Sequence, residues 1–165
     1  MSEHQVRPSV DQPTPTARAQ TLPLQGLVNV VIRGILRVPL LSRVVGKRLI
    51  TVYVVGRKSG RHYAVPVAYT SHDGALLVGS QFAWARNLRS GDRAPIRLVG
   101  ARRSADVQVL TDAAGVVAHL GLMARDNHQF AKFNKIGFDQ HGEPLPDDLR
   151  RAWVAGTRGL ILTPR

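Results

Sequence analysis

The sequence predicts an α+β protein built on a small antiparallel β-barrel of about six strands, with flanking helices. Two observations carry that prediction. From Leu49 onward, short apolar and β-branched runs follow one another through tight turns, without the strand–helix–strand alternation of a parallel sheet. The chain is also 165 residues long and 44% apolar, enough for one core but not for two. Residues 22–165 are therefore expected to form one barrel domain that begins with an amphipathic helix. Residues 1–21, polar and broken by Pro8, Pro13 and Pro15, are expected to be a disordered tail.

Each element has a local signature. From Leu24 to about Val38, Gln25, Asn29, Arg33 and Arg37 recur every four residues and leave an apolar face around them, which predicts a helix that Pro39 ends or kinks. Leu49 to Val55 and Tyr63 to Tyr69 read as strands, with Pro66 placing the second at an edge or a bulge. Asp73-Gly74 signals a hairpin turn into a strand over Ala75 to Val78. A short helix is expected over Trp84 to Leu88, then strands over Ile96 to Val99 and Ser104 to Leu110 joined around Gly100. Asp112 caps a helix to about Ala124, residues 126–143 read as irregular, Asp147 to Ala155 as a last helix and Leu160 to Leu162 as the closing strand.

Composition narrows the function. There are no cysteines, so disulfides, thiolate metal sites and cysteine nucleophiles are excluded. Of the six histidines, the nearest pair, His119 and His128, does not share a helical face, and no metal site is expected. A formal net charge of +12, carried by Arg far more than by Lys, predicts attraction to anions without choosing among them. Aromatics, at 5%, do not interleave with a basic strand face, so nucleic-acid binding is not expected. The apolar stretch Leu22 to Val45 is interrupted by Asn29, Arg33, Arg37 and Arg43, which excludes a membrane span of about 18 residues. The expectation is a cytoplasmic protein, with peripheral contact to the inner face of the membrane through the 22–45 helix as the sharper alternative.

Two motifs carry chemistry. Gly56-Arg57-Lys58-Ser59-Gly60 joins two strands: glycines free the backbone, while Arg57, Lys58 and the Ser59 hydroxyl add donors and charge suited to a phosphate or carboxylate. Read alone, it is equally an exposed hairpin tip. The second motif is Gly79-Ser80-Gln81 followed by Trp84, Asn87 and Leu88, spaced to share one helical face. Trp84 and Asn87 suit a planar ring with a polar tail, or else Trp84 is core and Asn87 ties down a loop.

In this order, the basic turn, the strand with an internal Pro, the strand ending in Ser and Trp-x-x-Asn-Leu resemble the deazaflavin-dependent nitroreductase family over about Leu49 to Val109. The resemblance implies a split β-barrel of the FMN-binding type and an oxidoreductase. Such an enzyme uses reduced coenzyme F420, with FMN as the runner-up, and passes hydride to a quinone, nitro compound or similar acceptor. It implies that Arg57, Lys58 and Ser59 hold the cofactor's acidic tail and that Tyr63 stands where a second basic residue is common. Pro66 matches the Pro of the next strand. Val78, Gly79, Ser80 and Gln81 would pass the ring, with Ser80 at the reacting end as the catalytic residue. Trp84 and Asn87 would complete the groove. Phe130 and Phe133 stand where members carry substrate-facing tyrosines, and would wall a substrate pocket. The alternative is a non-catalytic or FMN-using protein of the same fold that holds a lipid-like ligand.

Overall fold

The structure, a computed structural model, describes residues 48–165. The tail expected over 1–21 and the helix expected from Leu24 to Val38 lie outside the described residues. Seven strands form one antiparallel sheet: β1 (Leu49–Val55), β2 (His62–Ala68), β3 (Thr70–His72), β4 (Ala75–Ser80), β5 (Arg93–Leu98), β6 (Ala101–Leu110) and β7 (Arg158–Pro164). A 3-10 helix spans Ala83–Asn87, and three α-helices follow β6: α1 (Ala113–Asp126), α2 (His128–Phe133) and α3 (Pro146–Val154).

The strand order is β2-β1-β5-β6-β7-β4-β3, so β2 and β3 are the two edges. Only Tyr69 separates them in sequence. Laid flat, the edges would lie roughly 29 Å apart at about 4.8 Å per strand, whereas the chain from Ala68 to Thr70 spans at most about 7 Å. The sheet must therefore curl until its edges meet. β2 and β3 are one bent strand that serves both margins, which reconciles the expected six strands with the seven observed. The fold is an antiparallel split β-barrel with helices against one side.

Period-two alternation sorts the strands' side chains. Ile50, Val52, Val54, Val65, Leu76, Val78, Ile96, Val107, Leu160 and Leu162 fill the barrel with Trp84 and Leu88. On the outer side of β4 and β7, Leu77 and Ile161 meet a second cluster built on Val116, Leu120, Met123, Phe130 and Leu149. In α1, Val116, Leu120, Met123 and Ala124 recur at helical spacing and are all buried. Gly79 is the point of closest approach, since a Cβ there would lie 2.9 Å from Leu120 Cδ2 and 3.0 Å from the Phe130 ring.

Local signals set most boundaries. Asp112 caps α1 by accepting the Gly115 N–H at 2.8 Å. Asp73 and Gly74 both take positive φ, 47° and 77°, as a two-residue hairpin requires. Pro66 sits on edge strand β2 opposite Thr51, where its missing N–H costs no ladder bond. Three expectations need correction. β5 and β6 begin three residues earlier than expected, because register carries the polar Arg93–Pro95 and Ala101–Arg103 segments into the ladder. The turn at Trp84 is a 3-10 helix rather than an α-helix. Helix α2 lies inside the segment expected to be irregular, started by Asn127, whose Oδ1 accepts the Gln129 and Phe130 N–H groups at 3.1 and 3.0 Å.

Gly79→Val is expected to lower stability by about 1–3 kcal/mol through overpacking against Leu120 and Phe130. Urea unfolding followed by circular dichroism measures this, and an unchanged midpoint would show that the helical layer does not press on β4 there.

Candidate functional site

The antiparallel pairings bring the C-terminal ends of β1, β4 and β6 and the N-terminal ends of β2, β5 and β7 to one end of the barrel. The basic turn, Ser80, the 3-10 helix and Thr111 all leave the sheet there. Seven arginines and lysines belong to this end: Arg57, Lys58, Arg61, Arg86, Arg89, Arg93 and Arg158. Among the described residues only Arg93 has a carboxylate within ion-pair distance, that of Asp106. The acids at this end are already engaged. Asp92 accepts the Arg89 N–H at 2.7 Å, Asp112 caps α1, and Asp106 pairs with Arg93 and Arg165.

The turn itself is tightly made. Gly56 is required, because a Cβ would fall 2.6 Å from Ser59 Oγ and 3.0 Å from the Tyr63 ring. The Gly56 N–H donates to the Arg61 carbonyl at 2.8 Å and the Gly60 N–H to the Gly56 carbonyl at 2.7 Å. The Arg61 N–H donates to Ser59 Oγ at 3.3 Å, and that oxygen lies 3.5 Å from the Tyr63 hydroxyl. The glycines therefore do not leave every donor free. The N–H groups of Lys58 and Ser59 remain without partners among the described residues, together with the Lys58 and Arg61 side chains.

The two sequence motifs meet through Asn87. Its Oδ1 accepts the Arg57 N–H at 3.2 Å, and its Nδ2 donates to the Trp84 carbonyl at 3.2 Å. The Arg57 guanidinium also donates to the Arg86 carbonyl. Asn87 thus joins the turn to the 3-10 helix across thirty residues of sequence. Trp84 is 8% exposed and packs in the barrel core, so its face is turned to the interior.

The remaining predicted residues are placed as follows. Val78 is buried inside the barrel, while Gly79 faces Leu120 and Phe130 under the helices. Ser80 points inward, 7% exposed, and its Oγ accepts the Phe82 N–H at 3.2 Å. Gln81 and Pro66 are exposed. Phe130 packs in the helical layer, on the opposite face of β4 from Ser80, and Phe133 is 59% exposed on α2. The structure brings the turn, Tyr63 and Asn87 together, and does not bring Phe130 to the Ser80 side of the strand.

Sequence reasoning missed two features. Tyr53, Val55, His62, Ala64 and Pro95 line a hollow of about 390 Å³ on the outer face of β1, β2 and β5, directly beside the turn. Period-two alternation in Leu49–Val55 could have found the Tyr53 and Val55 face. Arg158 lies opposite Ser80 in the β4–β7 register, with its side chain on the same face of the sheet. No sequence signal links residues 80 and 158.

No protein-family model and no curated protein matches the sequence. Solved structures with a similar fold include a pyridoxamine 5′-phosphate oxidase-related, FMN-binding protein from Nostoc punctiforme, 14% identical over 88% of this chain and 82% of that one, TM-score 0.48. A 5-nitroimidazole antibiotic resistance protein from Bacteroides thetaiotaomicron is 13% identical over 74% and 76%, TM-score 0.43. An F420 reductase is 10% identical over 72% and 87%, TM-score 0.42.

One buried titratable group braces the site. His119 on α1 is 3% exposed, and its Nε2–H donates to the Val78 carbonyl at 3.0 Å, one residue past the last β3–β4 pair. Burial holds its pKa below the ordinary 6.5, an effect the Val78 hydrogen bond partly offsets. The fold thus favours neutral His119. Its contribution is complete above the unfolded value and is lost as pH falls below it. Urea midpoints should hold above pH 7 and fall below about 6.5, by at most about 1.4 kcal/mol per pH unit for one proton. His119→Gln should remove that share of the slope, and an identical pH profile in the variant would overturn the assignment.

Proposed function

We propose that this chain is a deazaflavin-dependent oxidoreductase, which takes reduced coenzyme F420 and passes hydride to a quinone, nitro compound or similar electron-poor acceptor. One observation carries the reading. The basic turn is locked onto the 3-10 helix by Arg57 and Asn87, yet leaves Lys58, Arg61 and two N–H groups without partners among the described residues, beside an apolar hollow. Rigid, unpaired donors next to an apolar surface suit a molecule with an acidic tail and a flat ring.

The residues fit such a group. Lys58 and Arg61 would hold the phosphate and acidic tail, with the Lys58 and Ser59 N–H groups as further donors. Val55, Ala64 and Pro95 would give the ring an apolar face and exclude water from it, beside Tyr53, whose ring carries the Arg102 guanidinium 5.3 Å from its centroid. When bound, a deazaflavin supplies the hydride, and the protein supplies position and electrostatics. Ser80, which the resemblance places at the reacting end, faces the barrel interior and accepts the Phe82 N–H, away from this outer hollow. Asn87 positions the turn rather than touching the ring.

The test is a side-by-side titration of reduced F420 and FMN. F420 should bind with an affinity that falls as salt rises. Lys58→Ala and Arg61→Ala should each weaken binding roughly 10-fold or more, the worth of about 1.5–3 kcal/mol for a hydrogen bond to a charged group. Unchanged binding in both cation variants would remove the turn's role, and tighter binding of FMN would replace the deazaflavin.

A further inference from the structure

A second opening lies at the same end of the barrel, outside the basic turn. It is a cleft of about 420 Å³ between the 3-10 helix, the end of α3 and the start of β7, lined by Arg86, Thr111, Trp153, Val154, Thr157 and Arg158. Its size is that of a small-molecule site.

Four features give it a chemistry. First, two guanidinium groups, Arg86 and Arg158, line the same cleft, and neither has a carboxylate partner among the described residues. The Arg86 head reaches across to the α3–β7 turn, its Nη2 being 4.0 Å from where a Cβ on Gly156 would stand. Two like charges facing one opening repel each other, and an anion between them reverses the sign. Second, the neighbouring acids are engaged: Asp112 accepts the Gly115 N–H, and Asp148 accepts the Gly137 N–H at 2.8 Å and pairs with Arg151. Third, Thr157 lines the cleft and its hydroxyl makes no hydrogen bond to the described residues, which leaves it able to donate to a bound acid group. Fourth, Trp153 is fixed as a wall, because its Nε1–H donates to the Thr111 carbonyl at 2.9 Å. Val154 forms an apolar lip, 72% exposed.

We propose that this cleft is a ligand site in its own right, which binds a small flat anion with its acid group on Arg86 and Arg158 and its body against Trp153. The ligand class is an aromatic carboxylate or an aryl phosphate monoester. The site does not depend on the basic turn holding a cofactor.

The experiment uses the purified full-length chain and the indole N–H resonances of its two tryptophans, assigned with Trp153→Phe. Benzoate and phenyl phosphate are titrated separately, with benzamide as the uncharged control. The Trp153 resonance should shift saturably with at least one of the two anions, and the one that binds names the acid group. Benzamide should bind at least 10-fold more weakly. Arg86→Gln and Arg158→Gln should each weaken anion binding at least fivefold, while Lys58→Ala and Arg61→Ala leave it unchanged. Arg86 is exposed, so Arg86→Gln keeps the test decisive should Arg158→Gln not fold. Equal binding of benzamide, or binding that survives both arginine variants, would overturn the proposal. So would an unmoved Trp153 resonance, or loss of the shift in the Lys58 and Arg61 variants, which would place the anion on the basic turn.

Discussion

The structure depends on one steric constraint, that the two edges of a seven-stranded sheet are consecutive in the chain and separated by Tyr69 alone. A sheet joined in that way cannot stay open. Closure is incomplete, however, because β3 has only three residues and its pairing with β4 ends at Thr70 and Leu77. Beyond that point β4 runs on through Val78, Gly79 and Ser80 with β7 on one side and, among the described residues, no strand on the other. Other groups take up the work. His119 satisfies the Val78 carbonyl from the helical layer, and the 3-10 helix brings Trp84 and Leu88 into the barrel core. The split in the barrel is thus where the described sheet runs out of partners, and the 3-10 helix is positioned by the buried Trp84 and Ala85 and by its C-cap Leu88.

Once the 3-10 helix is fixed, the basic turn has something to dock on. Asn87 supplies both halves of the attachment, acceptor for Arg57 and donor to Trp84. A turn carrying three cations within five residues would otherwise be a solvated hairpin tip, since exposed long side chains lose entropy when held in one geometry. Here the backbone is held by five hydrogen bonds, counting the Arg57 guanidinium to the Arg86 carbonyl. The ordering cost is met by the fold before any ligand arrives, which is what preorganisation means for a binding site.

Much of this was legible in the sequence, and the part that was not has a common cause. The strands, the Asp73-Gly74 turn, the Asp112 cap and the edge position of Pro66 are all set by local chemistry, and each was readable. Both motifs were visible too, but not their contact, because the Arg57–Asn87 bond spans thirty residues and follows from barrel closure. The same holds for Arg158, which reaches Ser80 only through register. Helix α2 was missed although its cap, Asn127, lay in plain view, because His128 to Phe133 is too short to show a period. Trp84 shows the reverse error risk. Its spacing with Asn87 suited a ligand wall, yet packing placed the indole inside the barrel, where a large apolar side chain gains most from burial.

The distribution of charge gives the last step. Ion pairs are present elsewhere on the surface, at Arg48–Asp126, Arg125–Glu143 and Arg151–Asp148, so the chain does not lack acids to pair with arginines. At the barrel's split end, by contrast, Asp92 and Asp112 are spent on backbone N–H groups, and among the described residues every cation but Arg93 lacks a carboxylate partner. Concentrating like charge in this way costs stability through self-repulsion. Arg86 stands between the two places where this happens. Its carbonyl steadies the Arg57 guanidinium on the turn side, while its own guanidinium enters the neighbouring cleft. One residue of the 3-10 helix thereby joins two cationic surfaces, through its backbone on one side and its side chain on the other.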